Sequence, residues 1–372
     1  MCGEWLAAAQ EGNLDEVLAG LRAGIDVNLK GEFGRTALHL AAMYTQAPAI
    51  RVLLGHGADP NAQDWSGHTP VTYAVLQAQS WVFREPDPRP MELLLAAGGK
   101  LGLLEAIWLN DVELARRLCD ADPNLDVSGD AQFSFHDTYL MEAAKCGFVE
   151  MVQFLLDRGA DIEGIDDLGA TALMRAAAGG HAEVVVLLLD RGADVNHDDW
   201  WDQTPLSEAA TGGHRDIVDR LLSRGARRNL LDAVALDDPG LVADLLRGGA
   251  DSNHHYGGCA RLALYAVRRG DAEIVRLLLD HGAVQYEEPM DERPLLAEAA
   301  RHGHLGVVEL LLSRGARADE VGRDGLNALA WATRGGHAPV VEILRIEFLR
   351  RAGRGRAASP PLCHSDAADP PL

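Results

Sequence analysis

Residues 180–196 read GHAEVVVLLLDRGADVN, with unbroken aliphatics from Val184 to Leu189 and a glycine at 192. Such a run fits a buried strand, part of a buried helix or half of a membrane span, and its own periodicity cannot choose between them. The surrounding chain decides. GFVEMVQFLLDRGADIE, GHRDIVDRLLSRGARRN, GDAEIVRLLLDHGAVQ and GHLGVVELLLSRGARAD all align beneath it. The glycine near the end of each falls at 159, 192, 225, 249, 282 and 315, in steps of 33, 33, 24, 33 and 33 residues. Gly24 to Gly57 is again 33. A fixed period in this range marks a solenoid.

The alignment then resolves the run. The column of Val186 holds Gln153, Asp219, Arg276, Glu309 and Glu342 in other copies, so it is expected to face water. The columns of Val184, Val185, Leu188 and Leu189 stay largely apolar. Spacing of i, i+1, i+4, i+5 is one face of a helix, not of a strand.

Each unit carries the same punctuation. A Thr-Pro pair, as at Thr69-Pro70 and Thr204-Pro205, caps a first helix; proline at the first helical position needs no amide partner and has φ preset. A glycine turn follows, at 147, 180, 213, 303 and 336. A longer second helix then ends at the RGAD glycine, suited to a left-handed cap. GRTALHLAA, GATALMRAAAGGHAEVVVLLLDRGADVN and DQTPLSEAATGGHRDIVDRLLSRGA closely resemble the ankyrin repeat over roughly residues 3 to 350. The resemblance implies a mainly α solenoid of about ten or eleven stacked helix-turn-helix units. It also implies loops projecting as hairpin fingers and a concave face formed by fingers and first helices.

Departures from the period divide the array. RRNLLDAVALDDPGLVADLLRGGAD lacks the capping Thr and most of a finger, as does KLGLLEAIWLNDVELARRLCDADPN, where Asp122 stands in for the cap glycine. With the short N-terminal unit these open three blocks, 1–99, 100–228 and 229–352, followed by a tail over 353–372 expected to be disordered. Gly57 to Gly98 is 41 residues, and the excess falls in a loop with Trp81, Phe83, Pro86, Pro88 and Pro90.

A net charge of −22 over 372 residues disfavours nucleic acid and anionic membranes, both of which call for basic residues. It favours basic partners. The five cysteines form no CxxC and suggest neither disulfides nor zinc. With no signal-peptide pattern and no run of about 18 apolar residues, a cytoplasmic, monomeric protein is expected.

No catalytic motif is legible, and neither cofactor nor metal is expected. His181, His214, His304 and His337 form one column after the inter-helix glycine and read as structural; the adjacent pair His254 and His255 lacks a third ligand. The fingers remain. They hold Trp65, Phe133, Phe135, Trp200, Trp201, Tyr256 and Tyr286 beside Asp64, Asp166, Asp167, Asp198 and Asp199. Rings flanked by carboxylates suit a partner protein segment carrying Arg or Lys, with Met43, Tyr44, Lys145, Arg301 and His302 contributing from the concave side. The function read from sequence is therefore non-catalytic protein binding. The alternatives are an enzymatic or regulatory site grafted on the scaffold, or an acidic decoy for a nucleic-acid-binding protein.

Overall fold

The computed structural model describes residues 2–79, 88–122, 125, 127, 137–256, 260–283, 293–322 and 324–356. Among them lie eleven helix pairs. The opening segment is the helix Ala182–Asp190, with Val184, Val185 and Leu188 fully buried. Val186 is half-buried rather than open to water, so its valine is partly accounted for by packing.

Two compact units emerge: residues 1–200 with 204–227, and residues 201–203 with 228–372. The three blocks read from the sequence thus map onto two units, with residues 1–99 and 100–228 falling almost wholly in the first. In the first unit each first helix packs on the next, from Cys2–Glu11 through Ala37–Met43, Pro70–Gln79, Leu103–Trp108, Tyr139–Lys145 and Ala172–Ala178 to Pro205–Gly212. In the second, Leu230–Ala235, Leu262–Arg269, Leu295–His302 and Ala328–Arg334 form the same kind of row. Second helices make the other layer, each packed on its own first helix. In the second unit a two-residue hairpin pairs His255 with Arg261 and Tyr256 with Ala260, antiparallel.

Neighbouring units are joined by side chains that reach backbone atoms. The carbonyls of Lys145 and Ala178 lie 2.8 and 3.1 Å from Nε2 of His181 and His214. In the second unit the carbonyls of Arg268 and Arg301 lie 3.0 Å from Nε2 of His304 and His337. A carbonyl can only accept, so Nε2 carries the hydrogen in all four. Asn28, Asn61, Asn196 and Asn253 donate to the cap-glycine carbonyls at 57, 98, 225 and 282. Those cap glycines adopt φ from 86 to 91° in the left-handed region, which glycine alone enters without steric cost.

Asp122 does not act as a left-handed cap: its φ and ψ are −129° and 93°. Pro123 follows it, and a residue before proline is pushed to extended backbone. The two short units cap their first helices with other chemistry. Glu105 accepts from the Gly102 amide at 2.7 Å, and Asp232 from the Asn229 amide at 2.6 Å. The last helix, Ala338–Arg356, continues past the tail boundary drawn at 352; residues 357–372, like the insertion residues Trp81, Phe83 and Pro86, lie outside the described set.

Leu188→Ala removes a fully buried side chain and is expected to cost about 2–5 kcal/mol. Hydrogen exchange should show the loss centred on helices flanking residue 188, as nearest-neighbour coupling requires; uniform loosening of both units would contradict it. Burial raises the Asp232 carboxyl to about 7. Its folded pKa exceeds the unfolded one, so the folded state binds the extra proton between about pH 4 and 7 and stability falls as pH rises through that window. Denaturation midpoints compared between the protein and Asp232→Asn should diverge across this range, with the variant the less pH-dependent of the two. Parallel curves would show that Asp232 does not titrate there.

Candidate partner-binding surface

The finger tips are built on one recurring carboxylate, five residues before the capping threonine. Asp64 Oδ1 accepts the amides of Ser66 at 2.9 Å and His68 at 3.0 Å, and its Oδ2 accepts Tyr73 Oη at 2.6 Å. Asp166 repeats the pattern: Oδ1 accepts Leu168 and Ala170 amides at 2.8 and 2.9 Å, and Oδ2 accepts the Arg175 guanidinium. Asp199 occupies the same column. All three are buried, Asp166 at 4% and Asp199 at 8% exposure. The expectation that Asp166 and Asp199 face a partner is therefore corrected. Asp64 and Asp166 fold their tips, because buried amides need acceptors more than solvent needs another charge, and Asp199 is buried in the same column. Asp167 and Asp198 are exposed.

A line of charge runs from the tips toward the first helices. Arg175 reaches Asp137 at 3.1 Å as well as Asp166, and Lys145 lies 3.6 Å from both Asp137 and Glu142. Burial raises the Asp137 carboxyl despite Arg175, with Glu142 adding to the rise. Burial also raises Glu208, helped by the charge of Asp199. Lys145 is thus exposed and paired with Asp137 and Glu142.

The aromatic predictions divide. Trp65 is 76% exposed, Trp200 67% and Trp201 41%. Trp65 and Trp200 hold equivalent places, each directly after the tip carboxylate. Their amides donate to the carbonyls of Phe33 and Leu168 at 3.0 and 3.1 Å, pairing each tip with the preceding finger. Their indoles lie over that finger's glycine. A Cβ at Gly34 would sit 2.4 Å from Trp65 Cδ1, and one at Gly169 2.9 Å from Trp200 Cδ1. Phe33, 60% exposed, meets Trp65 edge to face with centroids 6.4 Å apart. The rings therefore pack between fingers and also stay open to solvent. Tyr256 sits on the hairpin strand of the second unit, where Asp202 also lies 2.8 Å from His254 Nε2. Phe133, Phe135 and Tyr286 lie outside the described residues.

Beside Phe33 opens a groove of about 460 Å³, lined among others by Leu6, Phe33, Leu40, Met43 and Tyr44. It brings the concave residues Met43 and Tyr44 to the first finger. In the second unit Arg301 and His302 turn to Glu298, at 3.3 and 3.4 Å. Arg268 and Arg293 reach the same carboxylate at 3.0 and 3.1 Å, and Arg293 also meets Asp324 at 3.1 Å. Burial acts to raise Glu298, but hydrogen bonds from Arg268 and Arg293 outweigh it and hold its pKa below the ordinary range. Among the described residues no group of three or more His, Cys, Asp or Glu is placed to hold a metal, and no helix is long and apolar enough to cross a membrane.

A stack of capped helix pairs with projecting fingers is the architecture of a repeat protein built for recognition. A family model for ankyrin repeats in three copies matches residues 5–85, 103–199, 140–232, 230–321 and 265–351, and the chain belongs to that family. It is similar to the putative ankyrin repeat protein YahD of Escherichia coli K12, 29% identical over 174 residues, covering 45% of this chain and 85% of that protein. It is also similar to the inactive serine/threonine-protein kinase TEX14 of Bos taurus, 35% identical over 94 residues, covering 25% of this chain and 6% of the kinase-like protein. Human neurogenic locus notch homolog protein 1 is 31% identical over 141 residues, covering 37% of this chain and 4% of that protein. Ankyrin repeats are in general protein–protein interaction modules.

Asp166→Ala strips two backbone amides of their acceptor and is expected to destabilise the first unit by about 1–3 kcal/mol. Amide exchange at Leu168 and Ala170 should accelerate first. Unchanged protection there would remove the carboxylate from its structural role.

Proposed function

We propose that this ankyrin array captures a partner protein, without catalysis, along the finger edge of its first unit and the adjoining groove. The observation that carries this reading is the state of Trp65 and Trp200. Each is fixed by a backbone hydrogen bond and seated on a glycine, yet most of the ring remains open. A pre-positioned indole loses little freedom on binding, and tryptophan is among the commonest sources of interface energy.

The partner segment is read as one carrying Arg or Lys. Asp167 and Asp198 stand exposed next to the tip column, and the net charge of −22 draws a basic segment toward the chain. A guanidinium over an indole face flanked by a carboxylate gains both cation–π and charge-assisted contacts. The groove at Phe33, Met43 and Tyr44 accepts an apolar side chain of the same segment. The exposed Trp201 belongs to the second unit and offers a further ring of the same chemistry.

Selection of a random peptide library against the full chain should enrich a class containing Arg or Lys. Trp65→Ala combined with Trp200→Ala should weaken that class about tenfold or more while leaving the circular dichroism unchanged. Basic peptides that bind the double variant equally, and lose binding only with added salt, would replace aromatic recognition by simple charge attraction.

A further inference from the structure

One row in the second unit runs against the acidic character of the whole chain. Position seven after the first-helix cap is Met43, Leu76, Leu109, Lys145, Ala178 or Thr211 in the first unit, whereas in the second it is Leu236 and then Arg268, Arg301 and Arg334, these last at intervals of 33 residues. Arg268, Arg301 and Arg334 are exposed. Trp331 stands amid them, with the guanidinium carbons of Arg293, Arg301 and Arg334 at 4.8, 5.7 and 5.5 Å from its ring centroid. Arg269 lies over Tyr265 at 5.8 Å. Arg268, Arg293, Arg301 and Arg334 thus gather around Glu298 and Trp331, with Arg269 next to Arg268 on its helix, and the ion pairs that hold them engage two carboxylates, Glu298 and Asp324, among the described residues. Arg269 and Arg334 meet rings instead.

We infer that the row Arg268, Arg301 and Arg334, with Arg269 and Trp331 beside it, is a docking surface for an acidic peptide segment in polyproline II conformation. The charge excess selects the partner's sign, and guanidinium forks match carboxylates in shape. Size selects its class. A nucleic acid would carry phosphates well beyond this row onto a chain of net charge −22, whereas a short acidic segment places its carboxylates on the row alone. The period sets the register: helices in contact lie roughly 8–10 Å apart, and a polyproline II segment advances about 3.1 Å per residue with three residues per turn, so side chains three apart share one side. The row therefore reads an acidic residue at about every third position.

The test uses the full chain and two fluorescein-labelled peptides of equal composition, one with Glu at every third position in a Gly/Ser background and one with the glutamates in a block. Anisotropy should show the spaced peptide bound more tightly. Arg334→Glu combined with Arg269→Glu, which leaves the Glu298 cluster intact, should weaken it about tenfold or more, and Trp65→Ala with Trp200→Ala should leave it unchanged. Equal binding of the two peptides, tighter binding of single-stranded DNA, or indifference to the arginine reversals would overturn the inference. So would binding that appears only after Glu287, Glu288, Asp291 and Glu292 are replaced by Gln and Asn, since the chain's own acids would then be the occupant.

Discussion

Register between units rests on one kind of contact, a side chain of one unit hydrogen-bonded to a main-chain carbonyl of its neighbour. The histidine after the inter-helix glycine makes it on the helical side, and the loop asparagine makes it beside the cap glycine. Main-chain carbonyls are present whatever the neighbouring sequence, so such a bond joins units of different surface composition equally well. Apolar burial supplies most of the favourable free energy but is indifferent to direction; these bonds fix which turn meets which. Arg191–Asp157, Arg224–Asp190 and Arg314–Asp280 follow the same period on the outer layer, where exposed ion pairs contribute little each.

The same economy governs the fingers. A tip has several amides to satisfy and no helix to satisfy them, so a carboxylate turns inward and its charge is given to the fold. What a finger then presents outward is whatever follows that residue: tryptophan at 65 and 200, aspartate at 167. The two units diverge at this level. The first exposes rings and acids at its tips, while the second places arginines along its first helices. Formal net charge therefore describes the average of the molecule and neither of these faces.

The helical nature of the Val184–Leu189 run, the cap glycines and the first-helix caps were legible from sequence, because each is a column constraint that alignment within the chain exposes. The left-handed glycine caps needed only the recurrence of RGA. Asp122 was misread because its column was considered without Pro123, whose ring dictates the backbone of the residue before it. Asp166 and Asp199 were misread for a subtler reason. An acid next to an aromatic looks like recognition chemistry, and only its constant distance from the capping threonine, shared by Asp64, marks it as architecture. The Glu298 cluster draws on three successive units, and no local window contains it. The arginine row was visible as spacing, but its meaning required knowing that position seven lies on an exposed part of the first helix.

Each imidazole reaches toward the unit before its own. The array consequently has a head and a tail in a chemical sense. Excising units from the C-terminal side of a given pair leaves an idle carbonyl and an exposed loop asparagine amide, both of which water can serve. Excising them from the N-terminal side leaves a ring whose hydrogen has lost its designated acceptor and whose seat against the earlier glycine turn is gone. Shortened versions cut from opposite sides are thus not mirror images, even when they retain equal numbers of helices.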